Sequence, residues 1–242
     1  MNWATQFFTG KTVLIAGGTS GIGLGIATAF RDAGAIVHAT GATDNEVASA
    51  SATSSIAFAR LDVRDNDAVK AYVSTLKSLD VLVNCAGIIR RNDELDPEIF
   101  DLVLDVNLSG TMRLCAAARP LLAASKGAIL NTASLLSYFG GGLVPGYSAS
   151  KGGIVQLTKS LAIAYAKDGI RVNAIAPGWI ATGFTDALQK DPTRADPILA
   201  RTPLARWGTP DDLVGPALFL CSPLAGFVTG TCLPVDGGYL TV

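Results

Sequence analysis

Short apolar runs alternate along this chain with longer segments of helical periodicity. The apolar runs predict seven strands, at 12–16, 36–40, 56–61, 81–84, 128–132, 171–175 and 231–235. The segments between them predict helices at about 21–33, 65–79, 97–124, 149–168 and 210–221. Strands that are apolar at nearly every position are typical of a parallel sheet covered on both faces. The pattern therefore predicts a doubly wound α/β fold, with one seven-stranded parallel sheet flanked by helices.

One polar segment departs from this alternation. Residues at about 183–205 are polar and include Pro192 and Pro197, so they predict a mobile substrate lobe that could act as a lid. No internal repeat or linker divides the remainder. We therefore expect 1–242 to form a single domain.

Composition and charge restrict the classes of function. The chain has 242 residues, of which 49% are hydrophobic and 16% charged, so it can bury a large core. Its net charge of -1 is spread without blocks of like charge, and we expect no nucleic-acid partner. The single histidine, His38, leaves little basis for a metal cluster or a Ser-His-Asp triad.

The same sequence gives expectations about compartment. Mean hydropathy is +0.39, but the uncharged stretches are broken by glycine clusters or prolines, so no membrane-spanning helix is expected. The amino terminus lacks the pattern of a signal peptide. The four cysteines lie far apart in apolar surroundings and predict reduced core thiols. These features favour a cytoplasmic protein.

A glycine-rich turn follows the first predicted strand. Glycines with the spacing Gly-x-x-x-Gly-x-Gly permit a tight turn and close packing of the next helix, whose N-terminus presents unpaired N–H groups to an anion. A purely structural turn could carry the same glycines. The position between a strand and a helix favours a dinucleotide site, made of Gly17, Thr19, Ser20, Gly21, Ile22 and Gly23.

The residues after the second strand bear on the choice of cofactor. An acid there would hold the adenosine ribose hydroxyls, whereas an arginine would accept a 2′-phosphate. Residues 39–44 contain no Arg or Lys, and Ser20 adds no positive charge, so the sequence favours NAD over NADP. Asp44 could approach the ribose or could be a solvated turn residue.

A tyrosine and a lysine lie four residues apart in a predicted helix. Tyr147 and Lys151 therefore share one helical face, where the ammonium can stabilise a phenolate. Ser134 follows the fifth strand, near the edge of the sheet where such folds bind ligands. The alternative pair, Ser148 with Lys151, could form a serine hydrolase site, but a hydrolase has no use for the dinucleotide turn.

Taken together, these motifs resemble the short-chain dehydrogenase/reductase family over nearly the whole chain. Besides the glycine turn and the Ser134, Tyr147 and Lys151 set, the resemblance rests on 84–87 (Asn-Cys-Ala-Gly), Asn107, 177–178 (Pro-Gly) and 236–238 (Asp-Gly-Gly). Two positions depart from the usual pattern, namely Ala16 and Cys85. The resemblance implies a Rossmann-type domain and an NAD(P)-dependent oxidoreductase that interconverts a secondary alcohol and a ketone.

The resemblance also implies a role for each matching residue. Tyr147 would be the general acid or base, and Lys151 would bind the nicotinamide ribose and lower the tyrosine pKa. Ser134 would orient the alcohol or carbonyl, and Asn107 would hold a proton-relay water. Further cofactor contacts are expected from Asp62 and Val63 at the adenine, from Asn84, Ala86 and Gly87 at the ribose, from Ile180 and Thr182 at the carboxamide, and from Pro177 and Gly178.

Within this family, 87–91, 133–137 and 201–208 resemble the sugar-acid branch, which implies a substrate such as 2-dehydro-3-deoxy-gluconate or gluconate. Arg90 or Arg91 could bind its carboxylate, or both could be solvated. Arg206 and Trp207 are expected at a rim or a subunit contact. A 3-oxoacyl-thioester or broad ketone reductase, and a dinucleotide sensor without turnover, are the alternatives. The resemblance also implies a homotetramer.

Overall fold

The computed structural model describes residues 2–52 and 56–242. Its centre is one sheet of seven parallel strands in the order β3-β2-β1-β4-β5-β6-β7. The strands are β1 Thr12–Ala16, β2 Ile36–Gly41, β3 Ala57–Arg60, β4 Val81–Asn84, β5 Ala128–Thr132, β6 Arg171–Pro177 and β7 Cys232–Val235. The predicted seven-stranded doubly wound sheet is confirmed.

The strand order reverses direction beside β1. From β1 the chain builds outward through β2 and β3, then returns to the other side of β1 with β4. The register places Ala16 opposite both Thr40 and Asn84, so the carboxyl ends of β1, β2 and β4 lie at one edge. Ligands of open α/β sheets bind at this kind of switch point.

Helices cover both faces of the sheet. They are α1 Asn2–Phe8, α2 Gly21–Asp32, α3 Asp44–Ser51, α4 Asn66–Ser74, α5 Pro97–Leu104, α6 Gly110–Ser125, α7 Pro145–Tyr165, α8 Asp186–Gln189, α9 Pro192–Arg201 and α10 Pro210–Cys221. No helix within 2–52 and 56–242 has the length and apolar character needed to cross a membrane.

Alternate side chains of β1 enter two different cores. Val13 and Ile15 of β1 pack with Phe30 of α2 and Leu213 of α10, whereas Leu14 packs on the opposite face against α4 and α6. Because consecutive strand residues point to opposite faces, a strand buried on both sides is apolar at nearly every position. All five residues of β1 are buried.

Three helices differ from the sequence prediction. The predicted helix 97–124 is divided by a π-helical turn, Asp105–Ser109, between α5 and α6. Helix α7 begins at Pro145 rather than 149, because proline is well tolerated in the first turn of a helix. The predicted helix 65–79 ends at Ser74. The short helices α1 and α3 were not predicted, since seven or eight residues span too few turns for a period to be detected.

The polar segment at 183–205 contains two helices, α8 and α9. Ile198 of α9 is buried against Leu135 and Tyr239. The guanidinium of Arg201 lies over the Tyr239 ring, 4.3 Å from its centroid. The segment is therefore packed against the residues that follow β5, and its predicted mobility remains a prediction.

Candidate active site

Tyr147 and Lys151 lie one turn apart on α7, next to the end of β5. The Lys151 side chain is buried, and its Nζ donates to the carbonyl of Thr132 at 2.7 Å. The same Nζ lies 5.5 Å from the centroid of the Tyr147 ring. Burial lowers the pKa of Lys151 to about 8. The ammonium is therefore held beside the phenol by a backbone carbonyl.

Ser134 follows β5 and is the third residue of the group that contains Tyr147 and Lys151. Its hydroxyl hydrogen-bonds the phenol of Tyr147, which lowers the pKa of that phenol, but burial has the larger effect and raises it. The lowering of the Tyr147 pKa by Lys151 remains a prediction. Ser134 begins a 3₁₀ turn in which Ser137 donates to the carbonyl of Lys151 at 2.7 Å. That bond joins the loop after β5 to α7.

The alternative serine hydrolase pair is not assembled. The Ser148 hydroxyl donates to the carbonyl of Val144 at 3.0 Å and accepts from the N–H of Gly141 at 3.1 Å, both at the start of α7. Lys151 is bonded to Thr132 instead. The serine and the lysine therefore have separate structural partners.

Asn107 lies in the π-helical turn between α5 and α6, and not in the middle of one helix as expected. Its Oδ1 accepts from the N–H of Ile88 at 2.8 Å, and its Nδ2 donates to the carbonyl of Ile88 at 3.0 Å. Nδ2 also lies 3.1 Å from the Ser150 hydroxyl, which donates to the carbonyl of Tyr147 at 2.7 Å. The extra residue of a π turn is what aims this buried amide at the site.

The glycine turn meets the requirements of a pyrophosphate site. Gly17 has φ +73°, and a Cβ at this position would lie 2.5 Å from the backbone nitrogen of Ala86. A Cβ at Gly23 would overlap the carbonyl oxygen of Gly17. Ser20 is the N-cap of α2 but makes no side-chain cap bond. Within the described chain, the N–H groups of Ser20, Gly21 and Ile22 have no protein acceptor and are available to an anion.

Residues 84–87 run between the glycine turn and the lysine. A Cβ at Gly87 would lie 3.3 Å from Oδ1 of Asn107 and 3.9 Å from Nζ of Lys151. Ala86 lies against Gly17. The side chain of Asn84 turns away from this edge, because its Nδ2 donates to Asn131 at 2.9 Å in the core. Only the backbone of Asn84 is placed to line the cofactor site.

The two residues expected at the adenine have other partners. Asp62 forms an ion pair with Arg64 at 2.6 Å, and hydrogen bonding to Arg64 lowers the pKa of Asp62. Val63 is buried in the core beside Gly110 of α6. Their side chains are therefore occupied within the protein, and the adenine would meet their backbone.

Residues 177–182 lie on the β6 side of the carboxyl edge of the sheet. Gly178 packs against Asp236, where a Cβ would lie 2.6 Å from the Asp236 Cα, and it follows Pro177 at the end of β6. Ile180 is buried and pairs with Gly208. The side chain of Thr182 would lie 3.5 Å from a Cβ at Gly21. The loop after β6 therefore approaches the start of α2.

The arginines singled out in the sequence have different surroundings. Arg206 forms a two-pronged ion pair with Asp212 at 2.7 and 2.8 Å, and Trp207 packs edge-on against Trp179, so neither is free to hold a ligand. Burial lowers the pKa of Arg91, and repulsion from Arg194 of α9 lowers it further. Neither Arg91 nor Arg194 forms a salt bridge with any carboxylate in 2–52 or 56–242.

Three charged residues surround the end of β2. Asp44 is an exposed first residue of α3 and pairs with Arg60 of β3 at 3.3 Å. Oε2 of Glu46 accepts from the N–H of Ala42 at 2.7 Å, and it would lie 3.0 Å from a Cβ at Gly41. Sequence reasoning missed Arg60, Glu46 and Arg194, because each reaches its site from a different element.

Comparison with known proteins agrees with this geometry. The family model described as enoyl-(acyl carrier protein) reductase matches residues 16–240. A 2-dehydro-3-deoxy-D-gluconate 5-dehydrogenase from Pseudoalteromonas atlantica is 41% identical, over 96% of this chain and 96% of that protein. The chain belongs to the short-chain dehydrogenase/reductase family.

Solved structures of this family superpose closely on the chain. A putative NAD(P)-dependent gluconate 5-dehydrogenase from Beutenbergia cavernae with bound NADP has a TM-score of 0.90 at 39% identity, covering 98% of this chain and 99% of that chain. A gluconate 5-dehydrogenase from Burkholderia cenocepacia in complex with NADP and tartrate has a TM-score of 0.92 at 31% identity, covering 100% of both.

Family membership confirms three sequence predictions. They are the family itself, the Rossmann-type α/β fold and the class of enzyme, an NAD(P)-dependent oxidoreductase. The alternative of a dinucleotide sensor without turnover is not supported, because the named relatives of this short-chain dehydrogenase/reductase are dehydrogenases. The roles of individual residues remain predictions.

Proposed function

We propose that the protein oxidises a secondary alcohol of a sugar acid to a ketone, or reduces the ketone, with Tyr147 as the group that moves the proton. 2-Dehydro-3-deoxy-gluconate and gluconate are the substrates that its relatives' names suggest. The nicotinamide cofactor, when bound, supplies or accepts the hydride. The protein's own residues bind, orient and handle the proton.

The phenol of Tyr147 transfers the proton, assisted by its two neighbours, Ser134 and Lys151. In the oxidation direction, the phenolate oxygen of Tyr147 takes the proton from the substrate hydroxyl; in reduction, the phenol returns a proton to the carbonyl oxygen. Ser134 orients that oxygen through its hydroxyl. The Lys151 ammonium stabilises the phenolate, and its pKa of about 8 keeps it charged at neutral pH. Asn107 holds the backbone at Ile88 and positions the relay water.

The observation that carries the substrate class is the cationic pair formed by Arg91 and Arg194. Two guanidiniums that repel each other, neither of them in a salt bridge within the described structure, would provide a site for an anion. A carboxylate bound between them would remove the repulsion and accept from both. Arg194 lies on α9, whose Ile198 packs against Leu135, the residue after Ser134. This packing supports a position of the pair at the substrate side of the site.

NAD is the cofactor that we propose. The Glu46 carboxylate lies against Gly41 at the end of β2, where Thr19 of the glycine turn also makes contact. A negative charge there favours ribose hydroxyls and disfavours a 2′-phosphate. Arg60, on the neighbouring strand, is already paired with Asp44. The remaining contacts with the cofactor are those of the glycine turn, 62–63, 84–87 and 177–182, together with Tyr147 and Lys151.

The test measures nicotinamide absorbance with 2-dehydro-3-deoxy-gluconate and gluconate, each with NAD and NADP. We expect turnover with at least one of the acids and a higher kcat/KM with NAD. Replacing Arg91 by Gln should raise KM for the acid about 10-fold or more while KM for NAD is unchanged, because losing a charge-assisted bond costs about 1.5–3 kcal/mol.

A matched control is Arg119→Gln. Arg119 is also partly buried, but its guanidinium pairs with Asp168 at 2.7 Å, so this variant should leave KM for the acid unchanged. Turnover of neutral ketones or acyl thioesters, with none of either acid, would overturn the substrate assignment and favour the 3-oxoacyl-thioester or broad ketone reductase.

We also propose a homotetramer in the cytoplasm. The long helices α6 and α7 expose Met112 and Ile163, apolar residues that a subunit contact would cover. The four cysteines are free thiols, which suits a reducing compartment.

A further inference from the structure

A glutamate that no motif marks is buried beneath the start of α7. Glu94 lies in a 3₁₀ turn, Asp93–Leu95, and is only 1% exposed. Its Oε1 accepts from the N–H of Arg90 at 2.7 Å, and its Oε2 accepts from the N–H of Tyr147 at 2.7 Å. Glutamate is almost never fully buried without partners that compensate for its desolvation. Here the partners are two backbone N–H groups, one four residues away in the chain and the other 53 residues away.

Helix α7 lacks a cap of its own. Its N-cap, Val144, has no side-chain acceptor, and Pro145 in the first position has no N–H. The N–H of Tyr147, in the third position, has no acceptor within the helix. Glu94 supplies that acceptor from 53 residues away. A Cβ at Gly146 would lie 3.3 Å from Oε2, so glycine leaves room for the carboxylate.

The Glu94 carboxylate also binds the arginine segment, residues 90–91. It bonds the backbone of Arg90, and its charge attracts the neighbouring guanidinium of Arg91, opposing the effects of burial and of Arg194. One side chain thus joins the residue proposed to bind the substrate carboxylate to the backbone of the residue proposed to move the proton.

The charge of Glu94 also acts on the phenol. It raises the pKa of Tyr147 in addition to the larger effect of burial, whereas the hydrogen bond from Ser134 lowers it. Lys151 is the cation beside the ring, and Cys85 is the titratable group beside Lys151. The described structure gives no other charged contact to Tyr147.

We propose that Glu94 is a positioning residue of the active site, which fixes the arginine segment 90–91 and the first turn of α7 in one frame so that a substrate carboxylate and the Tyr147 phenol are correctly spaced. This proposal rests on the function proposed above. It implies that loss of the Glu94 charge changes both the binding of the acid and the pH at which the enzyme works.

The test is Glu94→Gln, which keeps the shape and one acceptor oxygen but removes the charge. In the oxidation direction, the tyrosine must lose its proton, so the rising limb of kcat/KM against pH should move to lower pH by about half a unit or more. KM for the sugar acid should rise several-fold because one of the two backbone bonds is lost, whereas KM for NAD should not change. A merely structural role for Glu94 would lower stability and kcat without shifting the rising limb of kcat/KM against pH.

Two further variants keep the result interpretable. Glu94→Asp retains the charge but is too short to reach both N–H groups, so it should raise KM for the acid and leave the pH limb in place. Glu98→Gln, an exposed glutamate at the start of α5, is the matched control and should change neither. A folded Glu94→Gln protein with the wild-type pH limb and the wild-type KM for the acid would overturn the proposal.

A substrate-free measurement separates this proposal from the proposed function. The near-ultraviolet absorbance of the phenolate, taken as the difference between each protein and its Tyr147→Phe counterpart, reports the titration of Tyr147 directly. Glu94→Gln should lower that titration midpoint whether or not sugar acids are the substrates. If wild type fails to turn over any sugar acid but the midpoint still moves, the substrate assignment is wrong and the electrostatic part of the Glu94 proposal stands; an unmoved midpoint refutes that part.

Discussion

At the scale of single residues, Lys151 is a buried cation whose pKa lies near 8 because of desolvation. In the unfolded chain a lysine titrates near 10.4. Between these two values the unfolded state binds a proton that the folded state has lost, so the free energy of unfolding rises with pH across this window. Below pH 8 the full cost of burying the charge is present.

We therefore predict that Lys151→Met changes the pH dependence of stability. The Lys151 contribution should make wild type gain about 3 kcal/mol, relative to the variant, between pH 8 and pH 10.5. Urea unfolding without cofactor, at several pH values, measures this difference. Lys70→Met, at an exposed position, is the control and should parallel wild type. Parallel curves for wild type and Lys151→Met would show that Lys151 is not desolvated.

Site residues whose relative positions are set by local structure could be predicted from the sequence. Tyr147 and Lys151 share a helical face whichever fold contains them, and the glycines of the turn are adjacent in the chain. Glu94 could not be predicted, because its partner is 53 residues away and its own neighbourhood is an ordinary acidic turn. Asn84 shows the reverse case: the motif is present, but the side chain turns inward to Asn131.

At the scale of elements, the start of α2 depends on contact between backbones. A Cβ at Gly23 would overlap the carbonyl oxygen of Gly17, so α2 could not approach β1 as closely. We predict that Gly23→Ala lowers the free energy of unfolding by about 1–3 kcal/mol, the usual cost of overpacking, and weakens cofactor binding. Thermal unfolding and NAD titration by fluorescence would measure the two effects.

Gly215→Ala in α10 is the matched substitution. A Cβ there meets nothing within 4 Å, and alanine is the better helix former by about 1 kcal/mol. This variant should be as stable as wild type or more stable, with unchanged NAD affinity. A Gly23→Ala protein as stable as Gly215→Ala would show that helix propensity, and not the approach of α2 to β1, determines the effect.

The sheet was predicted almost completely, because its buried strands are apolar at nearly every position and the turns between them contain glycine or polar residues. The break between α5 and α6 was not, since a π turn keeps the apolar periodicity of the flanking helices while adding one residue. The start of α7 at Pro145 was also missed. Its cap is Glu94, which comes from another part of the chain and leaves no local signal.

At the scale of the whole molecule, exposed apolar side chains on the long helices bear on the proposed tetramer. Ile163 of α7 is 81% exposed, and Met112 of α6 is also exposed. A β-branched apolar residue in that setting gains free energy when a second subunit covers it, at about 25 cal/mol per Å² of apolar surface removed from water. Helices that pair between subunits would cover both residues.

We predict that wild type is a tetramer by light scattering at micromolar concentration and that Ile163→Lys gives smaller species. Lysine in place of Ile163 would put two like charges near the axis of a symmetric contact, while leaving the folded subunit nearly as stable, because the side chain is exposed in the monomer. Lys70→Glu, an exposed charge change on α4, should leave the assembly intact. A monomeric wild type would refute the tetramer, and a tetrameric Ile163→Lys protein would place the contact on another surface. Because the proposed active site takes its residues from one subunit, the smaller species should keep turnover per subunit, so its activity separates assembly from catalysis.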